Sequence, residues 1–136
     1  MMQVGRTTTR EERLRWVPGD AVELLRRPGV DETSTVAMAM VDQLQAAGVP
    51  VDALEMSVMF WSRALEDLKP GAVPPDRLAR LDADLAIEMQ SSPVLGGWLA
   101  ALRRPVTTAH DLDFVIRFLM QARQTWVMTM HLRPRT

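Results

Sequence analysis

DALEMSVMFWSRALEDL, residues 52–68, is the most apolar helical stretch of the chain, and its spacing decides the fold. Leu54, Val58, Trp61, Leu65 and Leu68 follow at intervals of four, three, four and three, a continuous seam along one face of an α-helix. Met56, Met59 and Phe60 fall off that seam. A helix that is apolar on more than one side belongs at the centre of a bundle, packed on several neighbours. Asp52 and Glu55 have the spacing of a capping pair at its start, and Lys69 suits its negative C-terminal end before Pro70-Gly71 closes it.

The pattern extends in both directions, with proline and glycine as punctuation. Upstream, Ala37, Met40, Val41, Leu44 and Ala47 line one side of a helix from about Thr33, and Gly48 stands where a left-handed C-terminal cap belongs. Two short helices precede it. Thr9 with Glu12 caps a turn of helix reaching Trp16, Pro18-Gly19 breaks the chain, and Asp20 with Glu23 opens AVELLRR, which Pro28-Gly29 ends. Downstream, Leu78, Leu81, Leu85 and Met89 make a narrower stripe, with Asp76–Arg80 and Arg80–Asp84 as i,i+4 pairs on its outer surface. Ser92 as N-cap and Pro93 as first helical residue begin a helix whose face is Leu95, Trp98, Leu99 and Leu102. Thr107 or Thr108 caps a last helix to about Leu132, with Leu112, Ile116, Leu119, Trp126 and Met130 along one side.

These elements predict an all-α fold: a single compact bundle of about five main helices plus one or two short N-terminal ones. The helical domain is placed at residues 10–132, with tails at 1–9 and 133–136. The chain has 136 residues, 47% of them apolar, which is enough for one core without disulfide or metal staples. Its 16 basic and 17 acidic residues give no basic excess for nonspecific nucleic-acid binding. No apolar run has the length of a membrane span, and the polar start MMQVGRTTTREER has no signal-peptide core, so a cytoplasmic location without membrane insertion is expected.

Several chemistries lack their residues. Cysteine is absent, and the only histidines, His110 and His131, stand 21 residues apart on one helix, about 30 Å by helical rise. No metal and no cofactor are therefore expected. No serine sits in a G-x-S-x-G elbow, and Gly96-Gly97 has no phosphate-binding loop around it; close helix–helix approach is the better reading of that pair. Asp84 and Glu88 are the one acidic pair sharing a face, and no catalytic constellation surrounds them, so the chain is read as no enzyme. QLQAAGVPVDALEMSVMFW has the outline of a helix-turn-helix, but its second helix offers a groove Asp52, Glu55 and Met56, which repel phosphate and read few bases.

The positive signal is methionine, ten residues of 136, a side chain over-used at surfaces that adapt to partners. Met40, Met89 and Met130 hold stripe positions and fit the core. Met56, Met59, Phe60, Phe114, Phe118 and Met128 lie off their stripes; together exposed, they exceed the apolar patch a monomer ordinarily leaves open. Arg123 lands among Leu119, Trp126 and Met130, so it bridges to an acid such as Glu88 or serves as an interface arginine. Met56, Met59, Phe60, Phe114, Phe118, Met128 and Arg123 are thus the candidate protein-interface residues of a non-catalytic interaction module. The partner is another protein or a second copy meeting through the last helix. The alternatives are a nucleic-acid regulator using basic ends (Arg6, Arg10, Arg13, Arg15, Arg133, Arg135) and a ligand-binding or enzymatic bundle with a pocket lined by Trp61, Trp98 and Trp126.

Overall fold

The structure, a computed structural model, describes residues 8–132, except for the side chains of 131 and 132. Seven helices follow one another: α1 (Arg10–Leu14), α2 (Pro18–Leu25), α3 (Thr33–Ala46), α4 (Val51–Leu65), α5 (Pro75–Ser91), α6 (Pro93–Arg103) and α7 (Ala109–Leu132). This is the all-α bundle expected, with five long helices and two short ones at the N-terminal side. Among the described residues the sole β feature is a bridge, Ala72 to Thr108, which ties the α4–α5 loop to the start of α7.

The centre of the bundle is α3, not α4. α3 packs on α1, α2, α6 and α7, and Val36, Ala37, Ala39, Met40, Val41, Asp42 and Leu44 are all buried on it. Its alanines let neighbouring backbones approach on several sides, which a larger residue would prevent. Its C-terminus is a Schellman motif: Gly48 has φ +74°, Gly48 N–H donates to Gln45 O, and Val49 N–H to Leu44 O. α4 packs mainly on α7, with a lighter contact to α5, and buries only Leu54, Ser57, Trp61 and Ala64. The seam is therefore rotated: Val58 and Leu65 sit at its edge while Ser57 and Ala64 go inside. Their small side chains permit the close packing, and the Ser57 hydroxyl is satisfied by Ala53 O at 3.1 Å.

Two boundaries differ from the sequence reading for local reasons. Pro18 opens α2 as its first residue, after Val17 as N-cap, because a proline lacking N–H belongs at that position. α4 starts at Val51 without a side-chain cap and stops at Leu65, three residues short of Leu68. Asp67 turns the chain with φ +60°, and the Arg77 guanidinium donates to Ala64 O and Glu66 O, both at 2.9 Å, closing the freed carbonyl end. Thr108 caps α7: its Oγ1 accepts from Asp111 N–H, while the Asp111 carboxylate accepts from Thr107 and Thr108 N–H, each bond 3.1 Å. Ser92 precedes Pro93 at the start of α6 but makes no side-chain cap bond.

The N-terminal segment is fastened to α3 by polar groups. Gln43 Nε2 donates to Arg13 O (2.9 Å) and Trp16 O (2.8 Å), and its Oε1 accepts from Trp98 Nε1 of α6 (2.9 Å). Beside it, Arg13 Nε lies 2.7 Å from Asp42 Oδ2, and the same guanidinium donates to Thr8 O. Thr8 is consequently buried. The remaining tail residues, 1–7 and 133–136, lie outside the described residues.

The glycine pair of α6 resolves into two different roles. A Cβ at Gly96 would lie 2.7 Å from Met89 Cα on α5, whereas one at Gly97 meets nothing within 4 Å. Gly96 thus sets the α5–α6 approach, and Gly97 does not.

Three substitutions test this packing. Gly96→Ala is expected to destabilise the protein by about 1–3 kcal/mol through overpacking against backbone. Gly97→Ala should be neutral, or stabilising by up to about 1 kcal/mol through helix propensity. Gln43→Ala strands the Trp98 N–H and removes the donor to the Trp16 carbonyl, while the Arg13 carbonyl keeps the Trp16 N–H. It should cost about 2–3 kcal/mol in urea unfolding, and an unchanged midpoint would show that water replaces the amide.

Candidate functional site

Exposed apolar side chains occur on α3, α4, α5 and α7, and Phe60 of α4 and Ile87 of α5 line a common groove. Of the eight methionines among the described residues, Met40 alone is buried; Met38, Met56, Met59, Met89, Met120, Met128 and Met130 are exposed. Among the described residues methionine is thus mainly a surface residue, with Met40 the exception. Met56 is 64% exposed and Ile87 63%, on neighbouring helices. Met89 and Met130, expected in the core, are also outside. Met89 stands on the α6 side of α5, where Gly96 brings backbone against backbone, and Met130 lies near the end of α7, past the buried Trp126.

Between α4 and α5 lies an open groove of about 470 Å³. Ala64 and Ala83 form its floor because their short side chains leave room, while Phe60 and Ile87 supply apolar walls. Arg63, Arg80 and Asp84 line it as well. The expected Asp76–Arg80 and Arg80–Asp84 ion pairs are not formed among the described residues, nor does Arg63 have a hydrogen bond or ion pair there. Burial pushes the Asp84 carboxyl above its ordinary value, and burial followed by repulsion from Asp84 does the same to Glu88. The groove thus holds Arg63 and Arg80 beside Asp84 with no ion pair among them in the described residues.

The candidate residues separate into surface and core. Met56, Met59, Phe60 and Met128 are exposed, and Phe114 is half-buried beside a shallow cleft near His110 and Arg26. Phe118, by contrast, is only 2% exposed and belongs to the core, because α7 packs on both α3 and α4 and buries a wider arc than one stripe. Arg123 bridges to Glu55 of α4, Nε to Oε1 at 3.0 Å, rather than to Glu88. Glu55 is thereby spent on α7 instead of capping α4. With both partners well exposed, this pair fixes register more than it adds stability.

Trp61, Trp98 and Trp126 are buried in the core and line none of the described clefts. Arg13 is committed to Asp42 and Thr8, and Arg6, Arg133 and Arg135 lie outside the described residues. Among the described residues no group of three His, Cys, Asp or Glu side chains could hold a metal ion, and no helix is long and apolar enough to cross a membrane. No family model, curated protein or solved structure matches the chain.

The two kinds of carboxylate give opposite pH effects. Burial raises the Asp111 carboxyl, but hydrogen bonds from the backbone and hydroxyls of Thr107 and Thr108 overcome this and lower it from 3.8 to about 2. Its stabilising contribution is present above pH 4 and is lost as pH falls from about 4 through about 2. Glu88, raised above 4.5, costs stability once it ionises, and that cost vanishes below pH 4.5. At pH 7, Asp111→Ala should lose about 1 kcal/mol, as cap removal does, and Glu88→Gln should gain slightly. Both differences from wild type should shrink toward zero near pH 2, as read by denaturant titration.

Proposed function

We propose that the protein is a non-catalytic interaction module whose working surface is the apolar outer face of α4 with the adjoining α5 groove. The observation that carries this reading is the exposure of Met56, Met59 and Phe60 on α4, with Phe60 and Ile87 of α5 lining the groove beside them. Flexible thioether side chains repack against differently shaped partners at little cost, which suits an adaptor, assembly factor or small subunit. Neighbouring exposed apolar side chains of this kind mark interaction sites.

The test is proximity labelling of the tagged protein in its native cells. Met56→Glu/Met59→Glu should keep the circular dichroism and unfolding midpoint of wild type, because both side chains already face water. It should also lose the enriched neighbours of wild type. Retention of the same neighbours by the folded double variant would contradict the proposal.

A further inference from the structure

The partner of the α4–α5 face follows from its charges, an inference that rests on the interaction reading above. We propose that a second copy of this chain occupies the face, the two α5 helices lying antiparallel about a two-fold axis near Ala83 and Asp84. A two-fold interface must be self-complementary, since one patch supplies both sides. This patch meets that demand: among the described residues Arg63 and Arg80 have no acidic partner, and neither Asp84 nor Glu88 has a basic one.

The spacing on α5 does the rest. Arg80 and Glu88 stand four residues to either side of Asp84. Antiparallel pairing about that point brings Arg80 of each copy to the turn carrying Glu88 of the other. Each α5 then lies over the groove of its mate, with Ile87 and Phe60 between the helices and Arg63 reaching the second Asp84 carboxylate. The same register sets the two Asp84 carboxylates near the axis, where Arg63 of each copy offsets the charge of the other's Asp84.

Size sets the strength. α4 has 15 residues, about 22 Å of helix. Two helices of about 10 Å diameter give a flat face on the order of 450 Å². That is below the ~800 Å² per partner of a standard interface, so the dimer is weak and reversible, in the micromolar range.

Light scattering and sedimentation equilibrium of the full chain test this directly. Wild type should dimerise reversibly as concentration rises. Arg80→Glu and Glu88→Arg, each alone, should weaken the dimer by about tenfold or more. An equimolar mixture of those two variants should form a heterodimer, and the double variant R80E/E88R should recover the homodimer. Because the chain has no cysteine, Ala83→Cys gives an independent reading that needs no charge change. It should form a symmetric disulfide dimer on oxidation, whereas Met120→Cys on α7 should not.

A wild-type monomer at hundreds of micromolar overturns the proposal, as does a dimer indifferent to both charge reversals or linked through Met120→Cys but not Ala83→Cys. If that monomer still loses its cellular neighbours on Met56→Glu/Met59→Glu, the second copy is refuted and the interaction reading stands with a different partner.

Discussion

The close packing of α3 governs the rest of the molecule. Ala37 and Ala39 leave its surface thin enough for α1, α2, α6 and α7 to approach, and Val36, Met40 and Leu44 fill the space between them. Once α3 holds the centre, α7 lies between it and α4, and α4 is left with one close neighbour along its length. Its outward arc, from Met56 through Phe60 to Arg63, is then exposed as a consequence of topology. The same arrangement leaves α5 lying chiefly on α6, with only Leu81 fully buried, so the α4–α5 groove stays open.

Polar contacts fix this arrangement rather than drive it. Burial of Trp61, Trp98, Met40 and the core leucines supplies the favourable term. Gln43 selects how α1 and α6 meet α3, because its amide satisfies two carbonyls and an indole N–H at once. Arg13 and Asp42 are both largely buried, and such a pair contributes more to uniqueness of docking than to net stability. Gly96 has a comparable role without charge, setting how closely α5 lies on α6.

Helix number and type were legible in the sequence because proline, glycine and 3.6-residue periodicity are local signals. Gly48, Thr9 and the Thr108–Asp111 pair sat where capping chemistry placed them. Which helix is central was not legible. Apolar content pointed to α4, while burial depends on the number of neighbours, and alanine-rich α3 has more. The same confusion misplaced Phe118, Met89 and Met130: a stripe position is buried only where another helix lies over it, and an off-stripe position is buried where two do. Of the candidate surface, Met56, Met59, Phe60 and Met128 were readable from their offsets. The free Arg63 and Arg80 and the groove between α4 and α5 were not, since they depend on how two helices separated by a loop are set against each other.

The methionine-bearing face of α4 is open in the protomer, and we propose that a second copy closes it. Methyl NMR of ¹³C-methionine-labelled protein with a soluble paramagnetic agent reads this most directly. In dilute samples Met56 should be strongly relaxed and Met40 protected; at high concentration Met56 should become protected while Met40 is unchanged. A Met56 methyl protected even in the dilute monomer, or fully accessible at every concentration, would contradict the account.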